Sequence, residues 1–440
     1  MRQVLRFGKP ASLLLALSLS LAISPSPALR AADGPSEEVV AELVEELSAP
    51  QKVRREEAEK KLIALGPKVV DLLPKPGPDV SEEVANRLGR VRMALYRKRA
   101  EASVTASTVT LSVKDAPLDD VFQAIRKQTG NQLVDFRDQF GQQPTPVKLS
   151  LDVAKQPFWK VIDEVTALGD LEVYHFSGTD ELALVAAAKG KTKPSAGATQ
   201  AVCYSEAFRI EAKRLTASRS PKGADPGELR VELEVAWEPR LKPLFLTSKM
   251  AKVEALDDAD KPIEPGNREL STEIPPQGKS CRAEIALAFQ SPPRSAKSVK
   301  QLSGMLEVLV PAEMHPFRFT KLDEGKQEQK AAAVTVSIDA PRANNDLLQI
   351  ALTLKYENPA NAMESHRAWF YKNPCYLEAA DGTKTPPGTI ELTRQTNDEL
   401  TLNLLFAPEG DWTKQTLVYQ TPADIVVQPI EYSFKELPLP

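Results

Sequence analysis

Leu229-Arg230-Val231-Glu232-Leu233-Glu234-Val235-Ala236-Trp237 places an apolar side chain at every second position, then stops at Glu238-Pro239. Period two is the signature of a strand with one face in a core. The pattern returns as Leu348-x-Ile350-x-Leu352-x-Leu354-x-Tyr356, closed by Glu357-Asn358-Pro359. Outward from these two stretches the landmarks keep one order. Val253 to Pro262 and Leu377 to Pro386 are each a strand, an acidic turn and a proline. Glu284 to Phe289 matches Leu400 to Phe406, and Leu306-Glu307-Val308-Leu309-Val310-Pro311-Ala312-Glu313 matches Leu417-Val418-Tyr419-Gln420-Thr421-Pro422-Ala423-Asp424. Phe317-Arg318-Phe319 then matches Tyr432-Ser433-Phe434. The spacing predicts a tandem pair of antiparallel β-sandwiches over 201–328 and 329–440, immunoglobulin-like in a loose sense.

Residues 187–200 are rich in Ala, Lys, Gly, Ser and Thr without periodicity and read as a linker. Before them, residues 103–186 contain a second, smaller duplication. Val109-Thr110-Leu111-Ser112-Val113 alternates as a strand, Pro117 opens a helix carrying Val121, Phe122 and Ile125, and Gly130 stops it. Forty residues on, Leu149, Leu151, Pro157, Val161, Ile162 and Val165 repeat the plan, with Gly169 stopping the helix one residue early. Leu133 to Phe136, Leu171 to Phe176 and Leu182 to Val185 supply strands.

Val109-x-Leu111-x-Val113-Lys114-Asp115-Ala116-Pro117-Leu118-x-x-Val121-Phe122-x-x-Ile125-x-x-x-Thr129-Gly130-x-x-Leu133 resembles the short N-terminal domain of secretins and TonB-dependent receptors. The resemblance implies a periplasmic protein-binding module without chemistry. No outer-membrane barrel or secretin channel pattern comes after it, so neither transport nor secretion is implied. Residues 29–102 read as helices. Ser36 caps one with Val39, Val40, Leu43, Val44 and Leu47 on one face, Ala58, Leu62 and Leu65 line a second, and Val84, Leu88, Val91 and Leu95 line a longer one. Arg54-Arg55-Glu56-Glu57-Ala58-x-x-x-Leu62-x-x-Leu65-Gly66 resembles a HEAT-like helical repeat. Such repeats need about three units to stand alone, so this fragment is expected to pack on a neighbour. Residues 1–28 form an export signal: basic Arg2, Arg6 and Lys9, the apolar run Ala11 to Ile23, and Ser26-x-Ala28 for cleavage.

The fold class is therefore multidomain α+β: a helical segment, a small β-α-β repeat domain, then two β-sandwiches. Among 440 residues there are three histidines and three cysteines, and the net charge is −4, so nucleic-acid binding is not expected. Basic Arg87, Arg90, Arg92, Arg97, Lys98 and Arg99 suit a solvated helix end better than an anion site. Cys203 and Cys281 are candidates for a bridge, with Cys375 left over. Asp257, Asp258 and Asp260 suit a turn more than calcium. His175 reads as part of an edge strand and Trp159 as core. No nucleophile elbow, zinc helix motif or phosphate loop occurs, and no cofactor or metal is expected. The mature chain is expected to be a non-catalytic protein of the periplasm or cell envelope. Its role is binding or scaffolding envelope proteins, without a transmembrane segment after signal removal. The aromatic cluster of His366, Arg367, Trp369 and Tyr371 reads as a core strand with a polar edge, with an exposed interaction patch as the alternative. The alternatives are glycan or peptidoglycan binding by the sandwiches through Trp369 and Tyr371, and a hydrolase with an unrecognised site involving His315 or His366.

Overall fold

The computed structural model describes residues 36–440, apart from 75–80, 144, 189–200, 220–226, 277–278, 312–313, 332, 345, 358, 360–361 and 365–366. Residues 1–28, expected to be an export signal, and most of the expected linker at 187–200 lie outside the described residues. The chain is multidomain, with a helical region ahead of several sheet-rich regions. No helix among the described residues is long and apolar enough to cross a membrane.

The helices are α1 (Glu37–Glu46), α2 (Lys52–Ala64) and α3 (Glu82–Val104). Ser36 and Ser81 cap α1 and α3 by accepting from Val39 N and Val84 N. The inward stripe, Val40, Leu43, Ala58, Leu62, Leu88, Val91 and Leu95, is continuous with the core of the first sheet pair. The helical segment thus completes its core on a neighbour, as its short length demands.

The α/β module comprises β1 (Thr108–Pro117), α4 (Leu118–Thr129), β2 (Leu133–Asp135), β3 (Lys148–Pro157), α5 (Phe158–Gly169), β4 (Leu171–Tyr174) and β5 (Leu182–Ala186). β1 and β3 pair antiparallel, while β5 lies between parallel β2 and antiparallel β4. The forty-residue repeat reaches single hydrogen bonds. Leu118 N donates to Val147 O (3.1 Å), and Phe158 N to Ser107 O (2.9 Å). Asp115 N donates to Ser150 Oγ, and Lys155 N to Thr110 Oγ1 (both 3.0 Å). Asp115 and Lys155 share a left-handed φ of 48° and 50°, and so do the helix caps Gly130 and Asp170. The second helix therefore ends in register with the first. Gly169 is its last residue, and Asp170 takes the left-handed position expected of a glycine.

Two sheet pairs complete the chain. The first contains β6 (Val202–Ser205), β7 (Phe208–Ser218), β8 (Glu228–Trp237), β9 (Phe245–Asp257), β10 (Ser271–Ile274), β11 (Arg282–Gln290) and β12 (Ser298–Pro311), and β13 (Met314–Phe319) comes next. The second contains β14 (Gln327–Ala331), β15 (Val334–Ile338), β16 (Arg342–Asn344), β17 (Leu347–Tyr356), β18 (Cys375–Glu378), β19 (Lys384–Thr385), β20 (Thr389–Gln395), β21 (Glu399–Phe406) and β22 (Thr416–Pro422), and β23 (Ile425–Pro438) closes the chain. The sheet orders β11-β8-β7-β6 and β10-β9-β12-β23 correspond to β21-β17-β15-β14 and β19-β18-β22-β13, with β16 and β20 added in the second copy. The strand order of the two copies is therefore shared, except that the last strand of each has moved into the other. A boundary at 328/329 separates the copies in sequence but not in space.

The cause lies in the hinges. β12 reaches β13 through Pro311-Ala312-Glu313, and β22 reaches β23 through Pro422-Ala423-Asp424. Folding each last strand back onto its own sheet would need a two-residue hairpin, and tight hairpins want Gly or Asn at positive φ. Proline also holds the residue before it extended. Each last strand instead pairs with the other copy. Pro311 pairs with Ile425 and Pro422 with Met314, so the β12·β23 and β13·β22 ladders keep one register on either side of the hinges, from Ser298↔Pro438 to Phe319↔Leu417.

Two outcomes are expected. Halves 29–328 and 329–440 made separately each lack an edge strand, so neither should melt cooperatively alone, and mixing should give a 1:1 complex by light scattering. Gly304 lies where an added Cβ would sit 2.3 Å from the Tyr432 hydroxyl of β23. Gly304→Ala should cost about 1–3 kcal/mol in urea denaturation through overpacking.

Candidate functional site

The α/β module docks on the outer face of β7, β8 and β11, and a chain of polar contacts fixes it there. At its centre the fully buried Glu238 accepts from Ser107 N (2.8 Å), Ser107 Oγ (2.6 Å), Asn131 Nδ2 (2.8 Å) and Arg240 Nε (2.6 Å). Asn131 Oδ1 accepts from Arg240 N, and the Arg240 guanidinium donates to Ser103 O (2.7 Å) and Thr105 O (2.5 Å). Four filled acceptor positions make an unpaired charge at this depth avoidable. One side chain from the first sheet pair thus holds both the end of α3 and the module. Trp159 Nε1 donates to Ala207 O (3.2 Å) beside it, so this indole is core, as its sequence setting predicts.

A cleft of about 360 Å³ opens next to this clasp, between α5, β4 and the sheet. Its floor is a row of alternating charges. Asp163 of α5 accepts from Tyr204 and Arg209 of the sheet, and Arg209 also pairs with Glu211 (2.6 Å). Glu234 sits among Arg282 (2.8 Å), His175 (3.7 Å) and Lys213 (3.8 Å). Burial pushes the Glu234 carboxyl up, but His175, Lys213 and Arg282 outweigh it and hold it down at about 2. Burial beside Asp163 moves the Tyr204 hydroxyl well above its ordinary range. His175 comes just after the end of β4 and faces the neighbouring sheet, a role its strand-like sequence context did not disclose.

Tyr174 and Phe176 line the cleft, and an aromatic cluster extends outward from them. Tyr174 stacks on Phe136 (5.7 Å between centroids) and packs against Phe140 (4.8 Å) and Phe176 (5.9 Å). The turn carrying Phe136 and Phe140 is pinned by Gln142, which bonds both ways to the backbone of Ala186 (2.8 and 3.1 Å), and by Arg137, which bonds Asp135 and Thr145 O. Phe176 is 67 % exposed and Phe140 46 % exposed. The Arg282 guanidinium lies 4.8 Å from the Phe176 ring, so the aromatic surface is tied to the charged floor. Large exposed rings beside an arginine are what interface hot spots are made of.

Most of the described part of the aromatic cluster lies in the core rather than on the surface. His366 lies outside the described residues. Arg367 is buried, paired with Glu273 of β10 and stacked 4.7 Å from the Phe245 ring, where it joins the two sheet pairs. Trp369 is also buried and donates to Ala362 O (2.7 Å), while Tyr371 alone of the described members is substantially exposed. Trp369 and Tyr371 sit on a 3-10 turn, where the Trp369 and Phe370 rings close the second core and Tyr371 remains exposed.

The other candidates take structural places. Asp257 Oδ1 accepts from Ala259 N and Lys261 N, Asp258 from Lys297 N, and Asp260 binds Lys300, so this turn uses its own carboxylates. Among the described residues no group of three or more His, Cys, Asp or Glu is placed to hold a metal ion. His315 lies on β13 against Phe317. On α3, Arg87 and Arg90 bind Glu59, while Arg92, Lys98 and Arg99 donate to carbonyls of the preceding helices and turn. All three cysteines are free. Cys203 belongs to β6 and Cys281 precedes β11, at opposite edges of one sheet. Three strand spacings of about 4.8 Å exceed the reach of a disulfide. Burial raises the Cys281 and Cys375 thiols to about 11 and about 12, which keeps both protonated and unreactive.

No family model and no curated protein matches the chain. A solved structure, that of a conserved domain protein from Bacillus anthracis, aligns with 53 % of this chain and 89 % of its own, at 5 % identity and a TM-score of 0.17. Such values carry no inference about fold or activity.

Glu238→Ala should destabilise the chain by about 3–5 kcal/mol, because Arg240 and Asn131 lose a buried partner, as measured by urea denaturation. Glu234 is held below its ordinary 4.5, so its ion pairs stabilise docking above pH 4.5 and are lost as pH falls toward 2. Between pH 5 and pH 3 the native chain should therefore lose about 2 kcal/mol more than Glu234→Gln, which has no such carboxylate to protonate.

Proposed function

We propose that this is an exported, non-catalytic protein of the cell envelope that binds a partner protein and holds it on a rigid multidomain frame. In this reading the module over 103–186 is a relative of the secretin and TonB-receptor short N-terminal domain, the helical segment is HEAT-like, and the sheet pairs are immunoglobulin-like sandwiches. The observation that carries it is the aromatic cluster that extends outward from the cleft. Phe140, Tyr174 and Phe176 stand at the solvent boundary of the one module whose sequence resembles a family of protein-binding domains. Around them the ionisable groups are paired with one another across the domain junction, an arrangement suited to rigidity rather than to proton transfer.

The test is capture from an envelope fraction with the full mature chain as bait, compared with the Phe140→Ser/Phe176→Ser double variant. Both rings are solvent-facing, so the variant should melt as the native chain does while retaining at most about a tenth of the captured partner. Equal capture by both chains refutes the site. Sedimentation of the native chain with purified cell wall in the absence of protein partners supports a glycan ligand instead.

A further inference from the structure

We propose that the C-terminal strand β23 is a folding latch, which keeps the N-terminal helices and the first sheet pair from completing their fold until the end of the chain is available. The core that begins at Val40 of α1 also contains Val426, Ile430, Tyr432, Phe434 and Leu437 of β23. β23 covers β12 along its whole length, from Ser298↔Pro438 to Pro311↔Ile425. Without it, β12 presents a long open edge above an unfilled core. The site fits its occupant closely, since the Tyr432 ring lies over Gly304, where no larger residue has room.

Domains generally fold as soon as they emerge during synthesis. Here the first core cannot, because its final strand comes after the entire second sheet pair in sequence. Contacts this distant also form slowly, since loop closure precedes their reward. The hinge at Pro422-Ala423-Asp424 makes the delay obligatory, because it directs the last strand away from its own sheet and onto β12. The use of the latch rests on the proposed export of the chain: a polypeptide that must cross a membrane unfolded gains from a core that closes last.

The experiment compares chain 29–440 with chain 29–424, alone and with a synthetic 425–440 peptide or a scrambled control. The truncated chain should be cut by a non-specific protease at least about tenfold faster within residues 36–311, since cleavage tracks the open population. The native peptide should restore resistance to within about twofold of the full chain, and the scrambled one should not. A resistant truncated chain overturns the latch. So does a sensitive chain that the native peptide fails to rescue, because the loss is then general rather than seated at the β12 edge. A permuted chain carrying 425–440 through a flexible linker between the export signal and residue 36 tests the purpose separately. It should fold early and accumulate unexported. Normal export of that chain refutes the role in export and leaves the folding latch standing.

Discussion

The antiparallel ribbon formed by residues 298–319 and 416–438 is the constraint on which the rest of the molecule depends. Its two ladders share one register across both sheet pairs, so each core is finished by a strand from the other copy. The two pairs consequently cannot rotate or separate without breaking backbone hydrogen bonds along the ribbon. Tyr356 reinforces the crossing, since its buried hydroxyl donates to Pro422 O (2.7 Å) beside the hinge. Arg367 and Glu273 add a second tie between the pairs away from the ribbon.

The α/β module is held by different physics. Among the described residues its core takes in only Ala236 and Tyr204 from the sheet, and its attachment is otherwise polar: the Glu238 clasp, the Asp163-Tyr204-Arg209 group and the Glu234-His175-Arg282 group. Such contacts demand exact partners and leave little tolerance for sliding. They give a cleft whose walls belong to two units but whose geometry is fixed. A surface intended to present Phe140, Tyr174 and Phe176 to a partner benefits from that, because preorganised anchors lose less freedom on binding.

Much of this organisation is legible in the chain itself. Alternation in Leu229 to Trp237 and Leu348 to Tyr356 marks central strands, because burial on one face of a pleat leaves no other pattern. The forty-residue repeat in the module is equally plain, since Pro117 and Pro157 start helices in the same way. Less was legible at the sites. Arg367 and Trp369 read either as a core strand with a polar edge or as a surface patch, because a charge among aromatic residues looks the same whether it faces water or a buried carboxylate. His175 looks like an unremarkable strand residue because its partner, Glu234, lies in another unit.

Local sequence determined the elements, the duplications and the hinges, for these arise from side-chain period and from the backbone restrictions of proline and glycine. The tertiary structure decided which strand completes which sheet, and which ionisable groups meet across the domain junction. Those outcomes rest on contacts between residues more than a hundred positions apart, such as Ser107 with Glu238 and Ser298 with Pro438. No period in a sequence records a distance of that kind. It emerges only when a strand denied its own hairpin finds the nearest open edge.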